Sequence, residues 1–197
     1  MKKNTKRIFK YLIEFLIVAF GVFLGVYASE LQNEKKIKIE KEKSISYITE
    51  ELENNKDRLE ESIKYHQLIK TEIDSIIKTL DEKDLFTIYI GNKSFQHNEI
   101  KGWNGVRVAN LENTAFEAAK ISGIIKEYDI KYIQNISKIY KHQETYSEFG
   151  NSVLTKMINL NSSTKVVDMA SAIELMTSDL LNYEKAILEA IEKIERE

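Results

Sequence analysis

The sequence predicts an all-α protein with a single N-terminal transmembrane helix, and three observations carry that prediction. The 197-residue chain has no proline, seven glycines and 30% charged residues, so it lacks the turn punctuation that sheets require. Residues 11–29, YLIEFLIVAFGVFLGVYAS, are apolar or small apart from Glu14. Behind them, apolar residues recur at alternating steps of three and four over roughly five heptads. The expected architecture is a transmembrane helix continuing into a long amphipathic helix, which packs with three or four later helices in an antiparallel bundle. A short irregular or hairpin insert is expected at about 81–110. One domain over 30–197 and one anchor suit a chain of this length.

The first ten residues form a basic head carrying Lys2, Lys3, Lys6, Arg7 and Lys10, within a net charge of −2. Acidic residues outnumber basic ones beyond the head, which disfavours nucleic acid as the main partner. The head itself suits an anionic membrane surface. From Tyr11 to Ser29 a helix covers roughly 28 Å, close to the ~30 Å hydrocarbon core. The rival is a cleaved signal peptide, since Val26-Tyr27-Ala28 before Ser29 has small residues where a peptidase needs them. Against cleavage, Glu14 interrupts the apolar run and the sequence passes without a breaker into ELQNEKKIKIEKEKS. Basic residues on the two sides balance in number, but only those of the head lack acidic neighbours. The expected topology therefore has a cytoplasmic N-terminus and a periplasmic main domain, anchored in the cell inner membrane by a single pass.

Helical spacing places Arg7, Lys10, Glu14, Val18, Gly21, Gly25 and Ala28 along one stripe. The G-x-x-x-G spacing lets two helix backbones approach closely in lipid, so Glu14, Gly21 and Gly25 are the candidates for association of membrane helices. An acid within a span is a functional candidate by default, for example as an ion carrier. Glu14 is one turn from Lys10, however, and pairing at headgroup depth is the expected role.

The long helix has its seam at Ile45, Ile48, Leu52, Asn55, Leu59, Ser62, His66, Ile69, Ile73, Ile76 and Leu80. Its polar members, Asn55, Ser62 and His66, are expected to mark where another helix or solvent takes over. Between Asp81 and Asn110 the pattern breaks. Leu85 to Ile90 and Val106 to Val108 read either as a short hairpin or as part of an irregular loop packed by Trp103. A segment this long is where a binding surface is expected, with His97, Glu99 and Trp103 as its candidate residues. Helix resumes at a capping box, Thr114 to Glu117, and stops at Gly123. A further helix begins near Asp129, with its seam at Tyr132, Ile136, Ile139, Gln143, Tyr146, Gly150, Val153, Met157 and Leu160. After NLNSSTK the chain is helical again, with Leu180, Ile187, Ile191 and Ile194 on one face and Thr177-Ser178-Asp179 as a cap for a separate final helix.

Catalytic signals are missing. Cysteine is absent, and His66, His97 and His142 fall in neither Glu-x-x-His nor His-Glu-x-x-His spacing. There is no phosphate loop, dinucleotide fingerprint or nucleophile elbow. No catalytic, cofactor or metal residue is assigned, and no enzyme activity, cofactor or small-molecule ligand is expected.

EFLIVAFGVFLGVYASELQNEKK, with Glu14, six residues, then Gly21, and a polar exit through Asn33 and Glu34, resembles a broad group of uncharacterised single-pass bacterial membrane proteins of Bacteroidetes type. ENTAFEAAKISGII, residues 112–125, is similar to that group's short helix ending in Ser-Gly. Leu31 stands where many members have tryptophan, and Gly25 where alanine is usual, so the glycine pair is particular to this chain. The resemblance implies a membrane anchor and a helical domain, without an activity. The functional expectation is a membrane-anchored helical scaffold or protein-interaction module, self-associating or bound to another membrane protein. The alternative is a membrane sensor or ion-coupled accessory subunit acting through a partner.

Overall fold

The computed structural model describes residues 2–196, with side-chain surroundings from Phe9 to Ile194 and at Arg196. Lys2, Lys3, Lys6 and Arg7 of the basic head therefore have side chains outside the described residues. Helix α1 (Lys2–Ile77) is one unbroken element of 76 residues, joining the apolar stretch to the amphipathic one. None of its apolar window is buried, although that window is long and apolar enough to cross a membrane. Phe15, Ile17, Val18, Phe20, Val22 and Phe23 are all more than 60% exposed, which distinguishes this helix from the core helix of a soluble fold. Next comes an exposed stalk, supported along its surface by Lys36–Glu40 at 3.8 Å and Lys38–Glu42 at 4.0 Å. Such pairs add only a few tenths of a kcal/mol each, about 0.3–0.5. Full burial begins at Ile48.

Every seam position of α1 from Ile48 to Ile73 is buried, the polar ones included. Asn55 and His66 are 0% exposed and Ser62 is 4% exposed, so solvent does not account for them; an irregular segment, and for Ser62 and His66 a carboxylate on a later helix, packs there. After α1 the chain makes a single turn, α2 (Glu82–Leu85), and then a loop that covers the end of the bundle with Tyr89, Phe95 and Ile100. The hairpin alternative does not form, and among the described residues there is only an isolated bridge between Ile88 and Lys165. The Tyr89 amide donates to the Thr164 carbonyl at 2.8 Å and the Val166 amide to Thr87 at 3.0 Å, so the first half of the supposed hairpin is held by the turn before α5. Its second half lies on α1.

From Asn104 to Asn113 an irregular strap runs back along α1 toward its apolar N-terminal half. There α3 (Thr114–Ser122) and a 3-10 turn (Ile124–Glu127) reverse the chain, and α4 (Ile130–Ile158) climbs again. Finally α5 (Val166–Leu175), a π turn (Met176–Leu180) and α6 (Leu181–Glu195) descend as one rod. Helix α6 packs against both α1 and α4. The bundle is thus up-down-up-down, with the strap standing where the first descending helix would be.

Local signals explain most boundaries. Asp129 caps α4 by accepting from the amides of Lys131 at 2.8 Å and Tyr132 at 3.3 Å. Gly123 ends α3 in the left-handed region, φ 78°. Two caps differ from expectation. Asn113, not Thr114, is the N-cap of α3, and the free amide of Ala115 is bonded by Glu51 Oε2 from α1 at 2.8 Å. Thr177 does not start a new helix either: its hydroxyl donates to the Ile173 carbonyl at 2.9 Å inside a continuous rod that widens to a π turn.

Gly150 is where the strap presses closest on α4. A Cβ there would lie 2.6 Å from Val108 Cγ2 and 3.3 Å from its Cβ, a branched side chain with little room to withdraw. Gly150→Ala is expected to destabilise the protein by about 1–3 kcal/mol, as overpacking of a filled core does. Denaturant unfolding of the full-length protein in detergent measures this, and a neutral or stabilising outcome would mean that the strap yields.

Candidate functional site

The polar face of α1 is the most developed chemical feature of the fold. Its residues meet the strap in reverse order, like two edges of a zip. Tyr65 Oη accepts from the Asn104 amide at 2.9 Å and donates to the Gly105 carbonyl at 2.6 Å. His66 Nε2 lies 2.8 Å from the Val106 carbonyl, and Ser62 Oγ lies 3.1 Å from that of Arg107. Arg58 donates to the Asn110 carbonyl at 2.6 Å and pairs with the Glu112 carboxylate. Asn55 grips Glu112 at both main-chain groups, donating to its carbonyl at 2.7 Å and accepting from its amide at 2.8 Å.

An extended chain turns successive carbonyls to opposite sides, yet those of residues 105, 106 and 107 all face α1. The backbone allows this because Gly105 and Arg107 are left-handed, φ 76° and 49°. For arginine that geometry costs on the order of 1 kcal/mol. Its guanidinium, 5.1 Å from the centre of the Tyr65 ring, gains a cation–π contact in return.

Glu184, on α6, is 0% exposed and is the hub beneath the strap. Oε1 accepts from Ser62 at 2.6 Å and from Tyr146 at 2.9 Å, and Oε2 lies 2.9 Å from His66 Nδ1. Tyr146 Oη also accepts the Ala109 amide at 2.6 Å, tying α4 and the strap to the same carboxyl group. Because the Val106 carbonyl only accepts, His66 Nε2 carries a proton. Nδ1 and Glu184 Oε2 then stand at hydrogen-bonding distance on the other side of the ring. Burial, then the nearby Glu184 charge, pushes the Tyr146 phenol far above its ordinary range, so it stays a donor. A second hub repeats the pattern: Glu51 Oε1 accepts from Tyr140 at 2.7 Å. That phenol is also driven far upward, first by burial and then by Glu51.

Ser62, His66 and Glu184 are the residue types of a hydrolytic triad, but their order is wrong for nucleophile activation. Ser62 is directed at the carboxylate rather than the imidazole, both imidazole nitrogens are occupied, and the cluster is sealed from solvent. Its chemistry is to hold three helices and the strap in one register.

The sequence candidates lie at the two ends of the molecule. Glu14 is 3.8 Å from Lys10 Nζ, as helical spacing implied, and both side chains are exposed. Gly21 and Gly25 have open space where a Cβ would stand. In the far loop His97 meets the edge of Trp103, with ring centres 5.2 Å apart, while its Nδ1 bonds the Tyr89 hydroxyl. Burial lowers the His97 pKa from its ordinary value of 6.5. Glu99 is exposed and does not join them.

Glu51, Arg58, Tyr65, Arg107, Tyr146 and Glu184 form the network without having been singled out from sequence as site residues. Glu184 did carry a signal, since it sits between Leu180 and Ile187 on the apolar face of its helix, where a lone carboxylate demands buried partners. No protein-family model, characterised protein or solved structure matches the chain.

Glu184→Ala is expected to cost about 3–5 kcal/mol, because it strands His66, Ser62 and Tyr146 in the core. Glu184→Gln keeps an acceptor for the two hydroxyls and is expected to cost clearly less, and denaturant titration of the full-length protein compares the two. The far loop supplies a pH prediction. His97 binds a proton less readily folded than unfolded, so its contribution is complete above the unfolded pKa of about 6.5 and is lost as pH falls through and below it. His97→Asn should flatten that part of the stability profile relative to wild type. Parallel profiles would show that the histidine does not report on folding.

Proposed function

We propose that this protein is a membrane-anchored helical scaffold or interaction module that self-associates through its span and carries its bundle on a stalk. The observation that carries the reading is the continuity of α1: the span, the exposed stalk and the seam of the bundle are one helix. Its partners on this reading are the lipid bilayer and a second copy or another membrane protein. The basic head favours a cytoplasmic N-terminus at the inner membrane, leaving the bundle in the periplasm.

Pairing of the span is supported by the placement of its small face. At 3.6 residues per turn, Gly21 and Gly25 point away from the side of α1 that carries Ile48, Leu52 and Leu59. Two spans could therefore meet without their bundles colliding. The far loop offers a place for a further protein, since Phe86, Ile88 and Ile90 are each 56–58% exposed.

The second reading is a membrane sensor or ion-coupled accessory subunit. It is favoured by the same helix passing from lipid into the buried ladder of Asn55, Ser62 and His66. The ion-coupled form receives less support, because the Lys10–Glu14 pair suits interfacial pairing.

Crosslinking and light scattering in detergent test the main reading. Wild type is expected to form dimers or larger assemblies, and Gly21→Leu with Gly25→Leu is expected to abolish them. Glu14→Gln then reports whether the carboxylate contributes. A strictly monomeric wild type would remove self-association from the proposal.

A further inference from the structure

Tyr65 holds the start of the strap at two main-chain groups and leaves the one between them unheld. Its Oη accepts from the Asn104 amide at 2.9 Å and donates to the Gly105 carbonyl at 2.6 Å. The Gly105 amide between these groups has no hydrogen-bond partner among the described residues, and neither does the Asn104 carboxamide. Both residues are exposed, and a Cβ at Gly105 would meet nothing within 4 Å, so space is open around that amide.

A free carboxamide followed by a free, unhindered amide is the pair of groups that reacts within the chain itself. The main-chain nitrogen after an asparagine can attack that residue's Cγ and close a cyclic imide, and glycine hinders the approach least because it lacks a Cβ. Residues 104 and 105 are the only asparagine-glycine pair in the sequence. Serine follows Asn151 and Asn161. Asn151, however, lies within α4, where the next amide belongs to the helix ladder, and Asn161 Oδ1 accepts from the Ser163 amide at 2.8 Å.

We infer that Asn104 is a site of spontaneous deamidation, gated by the Tyr65 grip, whose isoaspartyl product releases this end of the strap. Base removes the Gly105 amide proton, the nitrogen bonds to Asn104 Cγ, and the carboxamide nitrogen leaves as ammonia. Water then opens the imide. Opening at Cγ gives aspartate, whereas opening at the main-chain carbonyl gives isoaspartate, in which the chain runs through Cβ and Cγ. That product places one more carbon between the amide of residue 104 and the carbonyl of residue 105, so a single hydroxyl no longer reaches both. The carbonyls of Val106 and Arg107 are then drawn away from His66 and Ser62. Ring closure needs rotation about the Cα–C bond of Asn104, and Tyr65 fixes groups on both sides of that bond. The reaction therefore proceeds from molecules in which the grip has opened locally. This goes beyond the scaffold reading and stands or falls separately from pairing of the span.

Peptide mapping by mass spectrometry, on full-length protein aged in detergent at mildly alkaline pH, tests the inference. Asn104 is expected to convert faster than every other asparagine, with isoaspartate in excess over aspartate. A synthetic peptide of residues 101–108 has no grip and should convert faster than the folded protein by roughly tenfold or more. Tyr65→Phe keeps the buried ring but removes both bonds, so its rate should approach that of the peptide. Aged wild type should gain a fraction that unfolds at lower denaturant, and aged Asn104→Gln should not. No preference for Asn104 would overturn the site. Equal rates in peptide and folded wild type would overturn the gating, whether or not Tyr65→Phe folds. An unchanged unfolding curve in protein rich in isoaspartate would overturn release of the strap.

Discussion

The strap from Asn104 to Asn113 has no strand beside it, so its buried amides and carbonyls depend on side chains for partners. Helix α1 supplies them at steps of four, three, four, three and one, through Asn55, Arg58, Ser62, Tyr65 and His66 following Glu51. Helical periodicity normally presents an apolar stripe to a core. Here a polar stripe is interleaved with it, because the element lying on α1 is irregular chain that cannot satisfy itself as a helix would. The left-handed residues Gly105 and Arg107 follow from the same constraint, since they turn consecutive carbonyls onto that stripe.

Burying so much polarity would be destabilising if any member lacked its counterpart. Glu184 closes the network from the far side, accepting two hydroxyls and bonding His66, and so the strap becomes a wall between α1, α4 and α6. Gly150 allows Val108 to sit against α4, and Glu51 extends the pattern to the first turn of α3. Contacts between apolar side chains tolerate sliding, whereas a two-point grip such as Asn55 on Glu112 does not. The ladder therefore sets the register of the bundle, and the apolar seam supplies bulk stabilisation.

Periodicity and end signals were legible in the sequence. The α1 seam, the α4 seam, Asp129 as a cap and Gly123 as a stop all follow from spacing and from local backbone chemistry. Asn55, Ser62 and His66 were visible as exceptions, but what they bind was not, because their partners are main-chain groups some 40 to 60 residues later in the chain and, for Ser62 and His66, a carboxylate on the last helix as well. Main-chain partners carry no signature of residue type. The same limit explains the hairpin alternative: Leu85 to Ile90 has strand-like composition, and only the tertiary fold places it against Thr164 and Val166. The capping box at Thr114 was locally sound, but the helix starts one residue earlier, so the Glu117 amide bonds the Asn113 carbonyl while a carboxylate from another helix takes the Ala115 amide. Glu14, Gly21 and Gly25 lie on an open surface, so their chemistry concerns whatever meets the span.

The two halves of α1 differ in how firmly their surroundings fix them, and this limits what the helix can transmit. The stalk carries its own exposed ion pairs, and the fold holds it only toward its bundle end, where the Tyr128 hydroxyl donates to Ser44 Oγ at 2.6 Å. From Glu51 onward the helix is bonded at nearly every turn to the strap, and rotation about its axis would separate Asn55, Ser62 and His66 from their partners together. A disturbance of the span therefore reaches the bundle as tilt or displacement of the whole domain, not as rotation of α1 within it. Pairing of two spans would then determine how two bundles face each other while leaving the inside of each unchanged. That division keeps the internal packing of the bundle independent of whatever meets the apolar half of α1.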